Sequence, residues 1–284
     1  MATFTNQATL TYGDSVATSN VVTGELLQSI AATKYSLTET YTADEILTYV
    51  VSLVNTGAAP LTDLTVTDDL GAYTRDGVVR VPLDYVEGSI IYYVDGIRQG
   101  TPAVTDVNPL TVTGVTVPGG GNAFLVYQAR VNEFASPEAG ATITNTVTVT
   151  GASLSAPVTA QETVGAASEA YLTIDKSLSP TTVTEGDRLT YTFVIRNFGN
   201  TPVVATDDAT VTDTFDPILS DLTVTFNGMA WAEGAQYTYD EATGVFTTVP
   251  TNVTVPAATY TRNPVTGAWT VMPGVSTLVV VGTV

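Results

Sequence analysis

The chain has 284 residues, of which 44% are apolar, enough for roughly one to three domains with hydrophobic cores. It contains no cysteine and no histidine, which excludes disulfides, thiol catalysis and the side chain best suited to proton transfer near neutral pH. Its formal net charge of −19 argues against nucleic acid and anionic lipid as partners, because both are polyanions. No segment has the apolar length of a membrane helix, so we expect no membrane insertion.

The first predicted element is a β-hairpin at the N-terminus, residues 1–27. FTNQATLTY and NVVTGELL have the composition of two strands separated by a turn. Side chains alternate between the two faces of a strand, and one face of the first strand carries an apolar row. Its members are Phe4, Ala8, Leu10 and Tyr12, and Val21 opens the second strand.

After a linker at residues 28–33, residues 34–165 are predicted to form a complete domain. Short runs of Val, Thr, Ile and Tyr alternate with turn signals such as NTG, DG and PGGG, and no helix is apparent. This pattern predicts an immunoglobulin-like sandwich. A second linker at 166–171 leads to a second sandwich at 172–284.

The two domains are an internal repeat. The segment from Lys34 that contains LTYVVSLVNTG matches the segment from Lys176 that contains LTYTFVIRNFGN. LVYQARV at 125–131 matches LVVVGTV at 278–284, where the second copy stops. The first copy continues through ITNTVTVTG and APVTAQETV, so the second copy lacks its terminal strands.

The missing strands resemble the N-terminal hairpin. FTNQATLTY aligns with ITNTVTVTG without a gap, and NVVTGELL resembles PVTAQETV. A sandwich without its last strands exposes a sheet edge and an open core. We therefore predict an all-β chain of two tandem immunoglobulin-like sandwiches plus an N-terminal donor β-hairpin, the second sandwich being incomplete and forming an acceptor groove.

A hairpin that fills the groove of the next copy gives a head-to-tail homopolymer, because such a heterologous contact propagates unless it closes into a ring. The interaction class is donor-strand complementation. Two alternatives stay open: the hairpin is the remnant of a truncated third domain, or it is an ordinary first strand pair.

Polar residues recur on the apolar faces of the predicted strands. Strand parity places the asparagines, the acids and the lysines inward at matching positions of the repeat: Asn6 and Asn145, Asp68 and Asp213, Lys34 and Lys176. These two lysines are the only ones in the chain, although lysine is normally a surface residue. Their restriction to matched inward sites points to a specific role.

From about residue 30 onward, the segments KSLSP, LTYTFVIRNFGNTP, VTDTF and ITNTVTVTG resemble the bacterial surface repeat called domain of unknown function eleven. That resemblance implies an extracellular or surface structural protein rather than an enzyme. The lysine, acid and asparagine set also resembles the self-crosslinking domains of Gram-positive pili and adhesins, which form Lys–Asn isopeptide bonds. The acid here is Asp rather than Glu.

Burial would make such a bond chemically possible, because desolvation favours the neutral forms of the lysine amine and the aspartic acid. The amine can then attack the asparagine carboxamide while the acid polarises it and carries protons. The resemblance implies a bond from Lys34 to Asn145 assisted by Asp68, and one from Lys176 to Asn6 of the next subunit assisted by Asp213. The alternative is a buried salt bridge with the asparagine as a hydrogen-bond partner.

The sequence thus predicts the subunit of a pilus-like filament (a fimbria) or spore appendage on a cell or spore surface, with other copies of itself as partner. Acidic segments at 61–69 and 205–213 lack the spacing of a calcium loop, so we expect no metal and no cofactor. An adhesive or carbohydrate-binding surface module is the alternative, with an aromatic platform formed by Tyr92, Tyr93, Trp231, Tyr237 and Tyr239. A hydrolase with paired carboxylates is a further one.

Overall fold

The computed structural model describes residues 2–26 and 29–284, and these residues contain strands, turns and one short 3₁₀ helix, Ala205–Asp207, but no α-helix. Contacts divide the chain into two compact units, Met1–Ser136 with Ala141–Ala166 and Pro137–Gly140 with Ala167–Val284. The predicted all-β fold is confirmed.

The N-terminal hairpin consists of two antiparallel strand pairs. Its strands are β1 (Ala2–Asn6), β2 (Thr9–Tyr12), β3 (Ser15–Thr18) and β4 (Val22–Leu26). β1 pairs with β4 and β2 with β3, and among the described residues neither pair joins a larger sheet. Phe4 lies opposite Gly24, where any Cβ would collide with its ring. The hairpin therefore pairs with itself, while its described large apolar side chains stay exposed, from Val21 at 55% to Tyr12 at 85%.

The first unit continues with fourteen strands. They are β5 (Ile30–Ser36), β6 (Thr40–Tyr41), β7 (Ile46–Asn55), β8 (Leu61–Asp68), β9 (Tyr73–Arg75), β10 (Val78–Arg80), β11 (Leu83–Tyr85), β12 (Ile91–Val94), β13 (Ile97–Arg98), β14 (Ala103–Val107), β15 (Leu110–Val117), β16 (Asn122–Val131), β17 (Thr142–Thr150) and β18 (Val158–Ala166).

Two six-stranded sheets form a sandwich in this unit. One has the order β13-β12-β16-β7-β5, with β11 also on β16, and the other has the order β14-β15-β8-β17-β18-β6. Side chains alternate between buried and accessible along β16 and β17, as expected for strands with one core face. The inward faces of both sheets share one hydrophobic cluster.

The second unit contains ten strands. They are β19 (Leu172–Ser179), β20 (Arg188–Asn197), β21 (Thr212–Thr214), β22 (Ser220–Phe226), β23 (Met229–Trp231), β24 (Tyr237–Asp240), β25 (Val245–Thr248), β26 (Thr259–Arg262), β27 (Trp269–Met272) and β28 (Gly274–Thr283). The order β19-β20-β28-β22-β23 matches the β5 sheet of the first unit. Opposite it stands a sheet of only three strands, β21-β25-β24.

The three-stranded sheet of the second unit ends at β21, whereas the corresponding sheet of the first unit continues beyond β8. β8 lies between β15 and β17, so Asp68 faces Leu110 on one side and Val147 on the other. The corresponding strand β21 places Asp213 opposite Phe246, and no strand of the described chain pairs with its other edge. The second unit thus lacks counterparts of β17 and β18 among its described strands.

The strand bounds shorten both predicted linkers. β5 begins at Ile30, inside the segment 28–33, because the Ile30 side chain is buried in the core and its backbone pairs with Asn55. β18 extends to Ala166, the first residue of the segment 166–171. The predicted boundary between the donor strands and the first linker falls at residues 27 and 28, outside the described residues.

Truncation of a core residue tests the sandwich of the first unit. Leu53 is fully buried on β7, so Leu53→Ala should lower the free energy of unfolding of this unit by about 2–5 kcal/mol. Leu37→Ala is the matched control, since Leu37 is 66% exposed and its loss should change stability by about 0.5 kcal/mol or less. Urea titration monitored by circular dichroism measures both, and equal effects would contradict this core.

Candidate functional site

Strand β5 carries Lys34 into the core of the first unit. Lys34 lies opposite Val51 of β7 and on the same strand face as the buried Ile30. Its ammonium forms an ion pair with Asp68 Oδ2, and the two side chains are only 0% and 3% exposed. Asp68 is held in turn by the backbone N–H of Leu70, which donates to Oδ1 over 2.9 Å. The predicted lysine and acid are therefore in contact.

Asn145 reaches the same cluster from β17. It is completely buried, and its Nδ2 donates to the Tyr127 hydroxyl over 3.5 Å. That hydroxyl donates to Asp68 Oδ2, the oxygen that also contacts Lys34. The structure thus brings together Lys34, Asp68 and Asn145, and Tyr127 links the acid to the amide.

Two tyrosine rings form the wall of this cluster. Tyr49 and Tyr127 face each other across β7 and β16, and their ring centroids are 5.7 Å apart with the planes 23° from parallel. The Lys34 Nζ lies 5.0 Å from the centroid of the Tyr49 ring, a distance at which the ring quadrupole attracts a cation. These rings exclude water from the amine.

Burial dominates the electrostatics of the cluster. Desolvation lowers the pKa of Lys34 below its ordinary value, although the attraction of Asp68 opposes this shift. Burial and the Asp68 charge raise the pKa of Tyr127, so its hydroxyl keeps its proton. The Asn145 side chain lies beside both tyrosine hydroxyls and offsets part of the rise in their pKa. Even so, Asn145 Oδ1 and the Tyr49 hydroxyl make no hydrogen bond of ordinary geometry.

This arrangement can support a reaction in which the Lys34 amine replaces the side-chain nitrogen of Asn145. A desolvated amine is a better nucleophile than a hydrated ammonium, and the adjacent carboxylate can accept its proton. A buried carboxamide oxygen without a hydrogen-bond donor lowers the stability of the fold, so such an exception points to a functional role.

The second unit repeats the pair of lysine and acid in an open setting. Lys176 on β19 forms an ion pair with Asp213 on β21, and these side chains are 41% and 17% exposed. The Lys176 Nζ lies 4.5 Å from the centroid of the Tyr191 ring, and Tyr191 takes the place of Tyr49. Asp213 Oδ2 makes no hydrogen bond besides this ion pair. No asparagine side chain completes the set as Asn145 does in the first unit, among the contacts of the described residues.

The predicted donor residues lie on the exposed hairpin. Asn6 ends β1 opposite Val22 and is exposed. The remaining predicted interface residues are exposed as well: Phe4, Ala8, Leu10, Tyr12 and Val21.

Strand β19 differs from its counterpart β5 in what covers it. β18 packs against β5, and Ile30 at the start of β5 is 6% exposed. Every residue of β19 is exposed, and Leu172, which occupies the position of Ile30, is 41% exposed. The exposed face of β19 and the free edge of β21 define an open position, here called the groove.

Sequence reasoning missed Tyr127. Strand alternation could have identified it, because Tyr127 shares the inward face of β16 with Leu125 and Ala129. The strand pairing places Val280 of β28 at the equivalent position of the second unit, opposite Tyr191. The hydroxyl that links acid and amide is thus specific to the first unit.

The aromatic residues considered for a sugar platform are largely packed. Tyr92 and Tyr237 are buried, Trp231 stacks on Phe226 with centroids 4.8 Å apart, and the Tyr239 hydroxyl donates to the Leu219 carbonyl. Within residues 2–26 and 29–284, no group of three or more acidic side chains is arranged to hold a metal ion. No helix in that part of the chain is long and apolar enough to span a membrane.

Comparison with solved structures finds pilus and adhesin domains. The chain matches the pilus backbone protein RrgB of Streptococcus pneumoniae at 12% identity and a TM-score of 0.34, covering 86% of this chain and 55% of that one. It matches BcpA, the major pilin subunit of Bacillus cereus, at 15% identity and a TM-score of 0.34, covering 95% of this chain and 73% of that one. ACE19, the collagen-binding subdomain of the Enterococcus faecalis surface protein ACE, matches 49% of this chain and 99% of its own at 10% identity and a TM-score of 0.31. At such low scores the likeness says nothing about what this chain binds or builds.

No protein-family model and no curated protein matches the chain. The resemblance to the surface repeat called domain of unknown function eleven therefore stays a prediction.

Removal of Asp68 or Asp213 tests how far burial makes each lysine depend on its acid. In a chain with Asn6→Ala and Asn145→Ala, which cannot form the predicted bonds, Asp68→Ala leaves the fully buried Lys34 without its counter-charge. The free energy of unfolding of the first unit should fall by about 3–5 kcal/mol. In the unassembled chain, Asp213→Ala should change the second unit by about 1 kcal/mol or less, because water reaches Lys176 as long as no hairpin fills the groove. Thermal unfolding measures both, and equal losses would mean that the burial of Lys34 is not as described.

Proposed function

We propose that this chain is the structural subunit of an extracellular, pilus-like filament or spore appendage on a cell or spore surface. In this filament the N-terminal hairpin of one copy fills the groove of the next copy. One observation carries the proposal: the second unit leaves open the position that β17 and β18 occupy in the first, and the hairpin repeats their sequence. The partner is a further copy of the chain.

Apolar surface on both sides supports this pairing. The groove exposes Leu172, Ile174 and Leu178, while the hairpin exposes Phe4, Leu10 and Tyr12. Full burial of one large apolar side chain contributes about 1.5–3 kcal/mol, so the joint has a gross stabilisation of order 10 kcal/mol before ordering costs are subtracted. Main-chain hydrogen bonds to the free edge of β21 would add to this.

The first unit supplies the register of the joint. Val147 of β17 lies opposite Asp68, and Thr148 lies opposite Thr67. If the joint repeats this register, the sequence alignment puts Ala8 of the incoming hairpin opposite Asp213 and Thr9 opposite Thr212. Asn6 then takes the place of Asn145, beside the open pair of Lys176 and Asp213.

We infer that isopeptide bonds lock the subunits. The lysine gives one proton to the aspartate, its Nζ attacks the asparagine Cγ, and a new C–N bond forms as the bond to Nδ2 breaks. The leaving nitrogen departs as ammonia, takes up the second proton as ammonium, and the aspartate returns to its carboxylate form. The first unit would join Lys34 to Asn145, and each joint would join Lys176 to Asn6 of the neighbouring copy.

The crosslinks predict a ladder on a denaturing gel. Assembled wild-type protein, boiled in detergent, should give bands of increasing subunit number, each with the mass of one ammonia lost per bond. Asn6→Ala should still assemble but run as a monomer, because the groove can be filled while the attacked carboxamide is absent. Gel electrophoresis with intact mass measurement on each band tests this.

Asn145→Ala is the matched control for that gel. It removes the corresponding asparagine of the first unit and should keep the ladder, with one ammonia fewer lost per subunit. Wild-type protein that runs as a monomer of full mass would contradict the isopeptide bonds. A dilute wild-type chain that remains a stable, fully folded monomer would contradict the filament.

The register can be tested by an engineered disulfide, because the chain has no cysteine of its own. In an Asn6→Ala background, Thr9→Cys with Thr212→Cys should give a ladder that collapses to monomer on reduction. Residues directly opposite across antiparallel strands lie within the Cα distance of about 4.4–6.8 Å that a disulfide requires. Non-reducing electrophoresis reads the result.

Thr11→Cys with Thr212→Cys is the control for this disulfide. Thr11 shares a strand face with Thr9 but lies two residues out of register, at a diagonal separation of roughly 7–8 Å that disfavours the bond. Equal ladders from the two pairs would overturn the register. A fast-migrating oxidised monomer would mean that the hairpin folds back onto its own chain.

A further inference from the structure

Tyr127 occupies the space between the acid and the amide of the first unit. Its hydroxyl donates to Asp68 Oδ2 and accepts from Asn145 Nδ2, the nitrogen that leaves in the proposed reaction. The side chain is buried on β16, and its ring is fixed by the stack on Tyr49. The hydroxyl therefore contacts both the group that takes up a proton and the group that needs one.

The second unit has no such hydroxyl. Val280 takes the place of Tyr127, and Phe215 stacks on Tyr191 with ring centroids 4.8 Å apart. Asp213 Oδ2 correspondingly has no hydrogen-bond donor besides the contact with Lys176. The two copies of the repeat thus share the lysine, the acid and the adjacent tyrosine ring, and only the first has a hydroxyl at the position of Tyr127.

We infer that Tyr127 is a catalytic residue of the crosslinking reaction in the first unit, where it relays a proton from Asp68 to the nitrogen that leaves Asn145. This inference rests on the proposed isopeptide bond. It assigns the reaction in the first unit a proton path that the reaction at the joint does not have.

The relay conserves atoms and charge. Lys34 first gives a proton to Asp68, and its neutral amine attacks Cγ of Asn145, which makes Nδ2 a basic amine. Asp68 then donates its proton to the Tyr127 oxygen as the Tyr127 proton passes to Nδ2. The bond from Cγ to Nδ2 breaks, ammonia leaves and takes up the remaining proton of the former ammonium, and Asp68 and Tyr127 return to their starting forms.

The charges around Tyr127 favour a hydroxyl that relays a proton over a tyrosinate that acts as a general base. Lys34 from β5 and Asp68 from β8 face Tyr127 directly, together with the neutral Tyr49 and Asn145. Asp69 and the β18 residue Glu162 add negative potential at this cluster, which disfavours a tyrosinate. The hydroxyl therefore stays protonated and passes a proton on without losing its own.

Tyr127→Phe tests the relay, because it removes the hydroxyl and keeps the ring that stacks on Tyr49. The chain is made by cell-free synthesis, and the loss of ammonia from the first unit is followed by intact mass in an Asn6→Ala background that prevents the bond at the joint. The variant should form the Lys34–Asn145 bond about 10²-fold more slowly than the matched chain, the scale of general acid catalysis. Tyr41→Phe is the control, since it removes a buried hydroxyl of the same unit that donates to the Ser136 carbonyl outside the cluster, and it should react at the wild-type rate.

The pH profile gives a second readout that loss of packing would not change. In the chain with Tyr127 the rate should be flat from mildly acidic to neutral pH, because both proton transfers occur within the cluster. In Tyr127→Phe the rate should fall as pH rises, since the leaving nitrogen then draws its proton from the solvent.

The possible outcomes distinguish failure of the relay from failure of the internal bond. A Tyr127→Phe chain that reacts at the unchanged rate overturns the relay and leaves the isopeptide bond standing. A rate that already falls with rising pH in the presence of Tyr127 also overturns the relay, whether or not the variant folds. No loss of ammonia from the first unit of the wild-type chain would overturn both the relay and the internal bond.

Discussion

The organising constraint of this protein is that a β-sandwich must fill every strand position. Unpaired backbone groups at a sheet edge and an uncovered apolar face are both unfavourable in water. The first unit meets the constraint within one chain, because β17 pairs with β8 while β18 packs against β5. The second unit has the same β5-like sheet but ends its other sheet at β21, and the strands that would complete it resemble the hairpin at the opposite end of the chain.

The buried lysine depends on that completion. Lys34 and Lys176 occupy equivalent strand positions and contact equivalent aspartates, yet one side chain is inaccessible and the other is 41% exposed. The difference arises because β17 and β18 close the first unit over its lysine. Desolvation, which lowers the pKa of Lys34, is therefore a consequence of strand completion. In the proposed filament, insertion of the hairpin would create the same environment around Lys176, so that assembly would precede and enable the covalent bond.

Much of this site follows from strand parity and the internal repeat. Alternation predicts that Lys34, Asp68 and Asn145 face inward, and the structure places all three in one buried cluster. The start of β5 at Ile30 lies inside the segment 28–33 that was predicted as a linker, because the pairing with Asn55 and the burial of Ile30 extend the strand to that residue. Tyr127 was missed for a different reason. LVYQARV and LVVVGTV align as copies of one strand, and parity does not say which inward side chain meets a polar group on the opposite sheet.

The sequence alone determined the all-β class, the repeat and the matching strand positions of the two lysines, and it predicted that the hairpin is a copy of a terminal strand pair. These properties are local or periodic, and they can be read from residue order. Tertiary structure decided that one oxygen of Asp68 accepts hydrogen bonds from both Lys34 and Tyr127. It also decided that Tyr49 stacks on the Tyr127 ring and that the two lysines differ in exposure. Those outcomes depend on contacts between strands far apart in the chain, because burial and hydrogen-bond geometry arise only when two sheets pack face to face.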